Sequence, residues 1–133
     1  MKTTDLRINE LSSTAYDAYL RYLTAMDAKD LERYGEFLAD DVVLQMNNAE
    51  PTVGKAAVLA GLAQYWPSFA TIEHDLLNIY GTDDHYVLEA LNHYTTHDGR
   101  AVTLRAVAFT DKDADGQVES VRLYTDTTPL FAA

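Results

Sequence analysis

Hydrophobic spacing along this chain changes period once, near Thr71, and that change limits what the chain can fold into. Upstream, apolar residues recur at three and four positions, as one face of a helix requires. Downstream they recur at every second position, as a half-buried strand requires. Ser13 or Thr14 is placed to cap a helix that reaches about Ala28. Its stripe is Ala15, Tyr16, Tyr19, Leu20, Leu23 and Met26, with Tyr22 and Asp27 at the margins. Asp30 can cap a second helix, Leu31 to about Leu38, that buries Leu31, Tyr34, Phe37 and Leu38. Val42 to Met46 reads as a short strand and residues 47–51 as a loop. A third helix opens at Gly54-Lys55, buries Val58, Leu62 and Tyr65 or Trp66, and stops at Pro67.

Four long strands follow: Thr71 to Tyr80, His85 to Thr96, Arg100 to Thr110 and Gln117 to Asp126. Gly81-Thr-Asp-Asp84, Asp98-Gly99 and Asp113-Ala-Asp-Gly116 are the turns between them. Residues 1–12 are polar and mixed, an arm or a fraying first turn. Helices first and an antiparallel meander second make an α+β domain. A curved sheet wrapped round three N-terminal helices leaves a cone with one open mouth, a natural small-molecule site.

In the first long strand, one face carries Ile72, His74, Leu76, Asn78 and Tyr80, and the other Glu73, Asp75, Leu77 and Ile79. The first face is expected to look inward, together with Leu88, Asn92 and Met46. A buried histidine must be hydrogen-bonded or it costs about 1–3 kcal/mol. His74 is therefore either a satisfied core residue or the working group of a pocket. The opposite faces, with Leu77, Ile79, Val87, Leu91 and Leu123, carry much apolar surface for a sheet left wet. They are expected to pair two copies of the chain as a homodimer.

The chain has 133 residues, which suits a single domain, and 47% of them are hydrophobic, enough for a real core. Its net charge of −11 argues against nucleic acid and against anionic membrane surfaces. With no cysteine, disulfides, thiolate catalysis and cysteine-built zinc sites are excluded. There is no apolar run of bilayer length and no apolar secretory segment, so the default expectation is cytoplasmic.

Several segments, in order, resemble the SnoaL-like branch of the nuclear transport factor 2-like superfamily. They are Ala39-Asp-Asp-Val-Val-Leu44, Gly54-Lys-Ala-Ala-Val58, Tyr65-Trp66, Ile72-Glu-His74, Asp98-Gly-Arg100 and Arg122-Leu-Tyr-Thr-Asp126. The resemblance implies a cone-shaped, cystatin-like α+β barrel, with a strongly curved, mostly antiparallel sheet, often dimerised through the outer sheet face. It implies a small hydrophobic molecule as ligand and no cofactor. It does not fix the reaction, because one fold hosts many chemistries.

Individual members match in part. The base of ketosteroid isomerase falls on Met46 and its protonated aspartate on Val107; only its hydroxyl donor is matched, by Tyr22. Of the Asp-Arg-Asp set of limonene epoxide hydrolase, Asp126 remains, while Ala90 and Asn92 replace the others. Leu44 and Met46 replace that enzyme's polar pocket residues and make the cavity more apolar. Scytalone dehydratase and hexachlorocyclohexane dehydrochlorinase pair an aspartate ending the first helix with a histidine on the strand after the third. Those positions are Asp27 and His74. The aspartate of the SnoaL cyclases falls near Asp126.

The resemblance thus points to His74, Asp27 and Asp126 as catalytic. Tyr22, Asn92, Tyr94, Tyr124, Met46, Leu44 and Trp66 would bind substrate. Each has a bland reading beside the functional one. Asp27 can be a solvated helix end, where the macrodipole disfavours a carboxylate by about 0.3–1 kcal/mol. His74 can be bonded to a backbone carbonyl or to Asn78, and Asp126 can pair with Arg122 or Arg105. Trp66 and Tyr65 read as wall rather than chemistry. The whole chain is then either a cofactor-independent lyase, isomerase or cyclase acting on a small apolar carbonyl compound, or a non-catalytic module that binds a hydrophobic ligand or only dimerises. No metal is implied. Asp111 to Gly116 opens like an EF-hand loop, but Arg122 stands where its twelfth-position glutamate belongs. His93 and His97 on a strand stand about 13 Å apart.

Overall fold

The computed structural model describes residues 1–132. In chain order the elements are β1 (Ile8–Asn9), α1 (Ser13–Asp27), α2 (Leu31–Gly35), β2 (Leu38–Met46), β3 (Thr52–Val53), α3 (Lys55–Tyr65), β4 (Thr71–Gly81), β5 (His85–Thr95), β6 (Ala101–Lys112), β7 (Val118–Thr125) and α4 (Thr128–Phe131). A 3₁₀ turn, Trp66–Ser68, follows α3. Among the described residues the seven strands form one mixed sheet in the order β1-β4-β5-β6-β7-β2-β3. β1 joins β4 and β2 joins β7 in parallel; the other neighbours are antiparallel.

The α+β class stands, with four helices and an open sheet whose edges are β1 and β3. The helices are not three N-terminal ones: α3 follows three strands, β1, β2 and β3, and α4 is the last element among the described residues. The second helix stops at Gly35, and Leu38, expected on it, begins β2. Its five residues are too few to hold themselves by helix propagation, while β2 gains a ladder on β7. The N-terminal arm is not free either. Ile8 and Asn9 pair with Asn78 and Ile79, and Lys2 bridges Asp75.

One irregularity corrects the expected strand faces. β4 pairs Leu76 with Ala90 but Asn78 with Glu89, so Leu77 is an extra residue in a β-bulge. A bulge shifts the alternation by one. Ile79 therefore turns inward and is 0% exposed. Asn78 turns outward and donates to Glu89 Oε1 at 2.8 Å, and Tyr80 is exposed. The bulged carbonyl is not left bare, since Leu77 O accepts from Arg7 N at 2.9 Å. Leu76 and Ile79, both fully buried, each contribute about 1.5–3 kcal/mol of apolar burial.

Leu123 is also on the inner face, opposite Ala108, rather than on the outer one. The core lies between the inner sheet face and the helices, with Phe69, Leu38, Leu76, Val42 and Val58 at its deepest points. Asp113 forms a turn, not a metal loop: its Oδ1 accepts from the backbone N–H groups of Asp115 and Gln117.

Candidate active site

Two adjoining helix caps place the first functional side chain. Lys29 adopts φ 54°. Its N–H donates to Met26 O, and the N–H of Asp30 donates to Ala25 O, both at 2.9 Å. This is the hydrogen-bond pair of a Schellman ending, usually built on glycine. The Asp30 side chain then caps α2 by accepting from Arg33 N. Lys29 Nζ donates to Phe69 O at 2.5 Å and Ala70 O at 3.1 Å, and lies 4.7 Å from the centre of the Phe69 ring. The end of α1 is thereby fixed to the entrance of β4. Asp27, the last residue of α1, is brought to His74 on that strand.

Asp27 Oδ1 accepts from His74 Nδ1 at 2.5 Å, and the carboxylate also accepts from the His74 backbone N–H at 3.2 Å. These bonds offset the unfavourable helix-end position of the charge. The pair is well enclosed, with side chains 6% and 13% exposed. An ionised carboxylate can only accept, so Nδ1 carries a proton, and whenever the ring is neutral the lone pair is on Nε2. His74 lines a cavity of about 110 Å³ between the sheet and the helices. A dry cavity of about 150 Å³ holds one benzene, so the space suits a single small ring.

The walls of this cavity include Tyr22, Leu44, Met46, Trp66, Asn92 and Tyr94 beside His74. Asn92 is His74's direct partner across the ladder. Tyr94 packs edge-on to Phe69 at 5.0 Å. Burial pushes the Tyr94 phenol well above its ordinary range, so it stays a proton donor at any working pH.

Two residues expected at the site are elsewhere. Asp126 follows the end of β7, is fully exposed, and accepts from Thr128 N at 3.0 Å. The Thr128 hydroxyl, together with that backbone bond, holds its carboxyl below the usual range. Tyr124 is 47% exposed and stacks edge-on to Phe109 at 5.9 Å. Both corrections have one cause. Pairing with β6 sends Val121, Leu123 and Thr125 inward, so the face shared by Arg122, Tyr124 and Asp126 is the outer one. Asp126→Ala is accordingly expected to leave affinity for any cavity ligand unchanged within twofold, as titration calorimetry can check; a larger loss would return Asp126 to the site.

The structure adds groups that sequence reasoning took for core. Tyr34 Oη lies 2.9 Å from Tyr22 Oη, and both rings line the cavity. Burial raises both phenols, Tyr34 to about 12. Helix periodicity gave Tyr34 an inward face and put Tyr22 at the margin of its stripe, with no hint that the two hydroxyls meet. Phe69 and Thr110 line the cavity as well. The clamp by Lys29 had one local signal, a helix end and a helix start only two residues apart. His93, set aside as a metal ligand, bonds Asp75 Oδ2 at 2.8 Å and Thr103 Oγ1 at 2.9 Å on the outer face.

Comparison with known proteins fits this geometry. No protein of curated function matches the chain in sequence. Solved structures do match in fold. A Shewanella denitrificans protein assigned as a SnoaL-like polyketide cyclase superposes with TM-score 0.78 at 12% identity, over 90% of this chain and 95% of that one. A Burkholderia pseudomallei NTF2-like protein of unknown function gives 0.80 at 18% identity, over 92% and 100%. An LEH-like epoxide hydrolase of M. tuberculosis gives 0.73 at 18% identity, over 90% and 88%. At these identities the likeness is one of fold. The family model of the SnoaL-like domain matches residues 19–121, from Tyr19 on α1 to the cavity-lining Val121, and on that match the chain belongs to the SnoaL-like domain family.

Proposed function

We propose that this chain is a cofactor-independent enzyme that moves a proton on a small, largely apolar carbonyl compound, as a lyase, isomerase or cyclase does. The observation that carries the reading is the His74–Asp27 pair. A buried imidazole is held at Nδ1 by a carboxylate 2.5 Å away, with its ring lining an apolar cavity. In this reading Nε2 takes a proton from the carbon beside the substrate carbonyl. Asp27 fixes the tautomer and stabilises the imidazolium that forms. Tyr94, kept protonated by burial, donates to the oxygen on which negative charge develops. The Tyr22–Tyr34 pair lines the same space and bounds the ring. The reading treats the sheet as a cone around the ligand. Cavity walls drawn from α1, α2, α3, β2 and β4 to β7 support it.

Epoxide hydrolysis of the limonene type has little support, because Ala90 and Asn92 stand in the cavity where an Arg and an Asp would be needed, and Asp126 is on the surface. The competing reading is a non-catalytic ligand-binding module, favoured by how fully Asp27 satisfies the imidazole. Incubation with single-ring ketones in D₂O separates the two. The enzyme reading expects wash-in of deuterium beside the carbonyl, followed by proton NMR. Tight binding of a ketone with no exchange above buffer would favour the module.

Dimerisation through the outer sheet face belongs to the same proposal. Leu77, Val87, Leu91, Val107 and Phe109 are half-buried there and Tyr124 is exposed. A dimer is expected in sedimentation velocity at tens of micromolar, roughly where a standard interface is populated; a monomer at that concentration would remove this part of the proposal.

A further inference from the structure

The cavity holds one polar atom that the folded chain leaves unsatisfied. Asn92 is 5% exposed, lines the cavity, and its Oδ1 has no hydrogen-bond partner. A buried carbonyl oxygen without a donor is costly, and such a group calls for an explanation. The Asn92 amide N–H side meets the Tyr94 phenol, and Oδ1 is left without a donor. Asn92 is flanked across the ladder by His74 and Leu104. The His74 ring N–H is already given to Asp27.

We infer that the ligand supplies the missing donor: the substrate carries a hydroxyl group that donates to Asn92 Oδ1. The inference rests on the cavity being the substrate site of the proposed reaction. It narrows the substrate class from a small carbonyl compound to a hydroxylated one. His74 and Asn92 are direct antiparallel partners, and the side chains of such a pair start about 5 Å apart on one sheet face. The hydroxyl and the carbon that loses its proton are therefore close neighbours on one ring, on adjacent carbons or one carbon further apart. The cavity's small size and mostly apolar walls admit the ring itself and little more. A hydroxyl donor is required because two acceptors already face the ligand, Nε2 of His74 and Oδ1 of Asn92. An unsubstituted ketone satisfies neither.

Phenol and anisole test this by calorimetry, because they share ring and oxygen but only phenol donates. Wild-type protein is expected to bind phenol at least about tenfold more tightly than anisole, the scale of one hydrogen bond to a buried partner. Asn92→Leu, which keeps the branched shape and removes the acceptor, should reduce the preference to within about twofold. Asn92→Asp, which keeps an acceptor oxygen and removes the amide N–H donors, should retain it, and serves alone if the leucine variant does not fold. Equal binding by wild type, a preference that survives in Asn92→Leu or vanishes in Asn92→Asp, or no binding of either probe at millimolar concentration would each overturn the inference. The exchange experiment with ketones reads His74 as a base and not the Asn92 contact, so the two can fail separately.

Discussion

His74→Ala is expected to slow deuterium exchange into any ketone the wild type turns over by on the order of 10²–10⁴-fold, the usual contribution of a positioned general base. The variant removes Nε2 from the cavity and leaves Asp27 with the backbone N–H of residue 74 and the Met1 ammonium, 3.2 Å from its Oδ2. A carboxylate 13% exposed then loses its strongest partner, so a stability loss of about 1–3 kcal/mol accompanies the loss of rate. That loss alone proves nothing, because a structural histidine predicts it too. Asp27→Asn makes the separation. With the proton no longer held on Nδ1, the tautomer is free to change, and the rate falls while the affinity for a cavity ligand stays within a few fold. The double variant is expected to be little slower than His74→Ala, since residues acting as one unit are not additive. Full exchange activity in His74→Ala would end the enzyme reading at this site.

Gly81→Ala is the largest stability change expected. Gly81 ends β4 at φ +125°, a region that side-chain-bearing residues rarely enter. A Cβ there would stand 2.2 Å from the carbonyl oxygen of His85 and 2.9 Å from the Cα of Tyr86. Both are backbone atoms of the paired strand, so no side chain can swing aside and the β4–β5 hairpin must open. Tyr86 is buried and its ring lies 4.8 Å from that of Tyr19, a cavity wall. Strain and lost pairing together should cost about 3–4 kcal/mol, read as a fall in Tm of roughly 10 °C or more. Ligand affinity should fall with it, because the disturbance reaches Tyr19. A thermal shift of only a degree or two would mean that the hairpin end is far softer than its geometry implies.

The period switch near Thr71, the hairpin at Asp98-Gly99, the cap at Asp30, the helix start expected at Ser13 or Thr14 and found one residue earlier with Ser12 as cap, and the stop at Pro67 are local events, and local events are written in local residues. They determined by themselves that helices precede a long antiparallel meander, and hence an α+β domain. The resemblance, carried by short segments in order, named the family and pointed to Asp27 and His74. Their contact at 2.5 Å was beyond any spacing argument, since they lie on different elements 47 residues apart. It depends on the Lys29 clamp between α1 and β4.

What the sequence left open was decided wherever one residue of register matters. Alternation along β4 reads the same with or without a bulge until the partner strand is known, and the bulge at Leu77 reverses Asn78, Ile79 and Tyr80. On β7 both faces carry large side chains, Leu123 on one and Tyr124 on the other, so period two alone cannot say which is inside. Pairing with β6 decided it and moved Tyr124 and Asp126 out of the site. The meeting of Tyr22 with Tyr34, and the unsatisfied oxygen of Asn92, belong to the same kind. They are distances between elements, set by packing that involves the whole chain at once, and no window of sequence contains them.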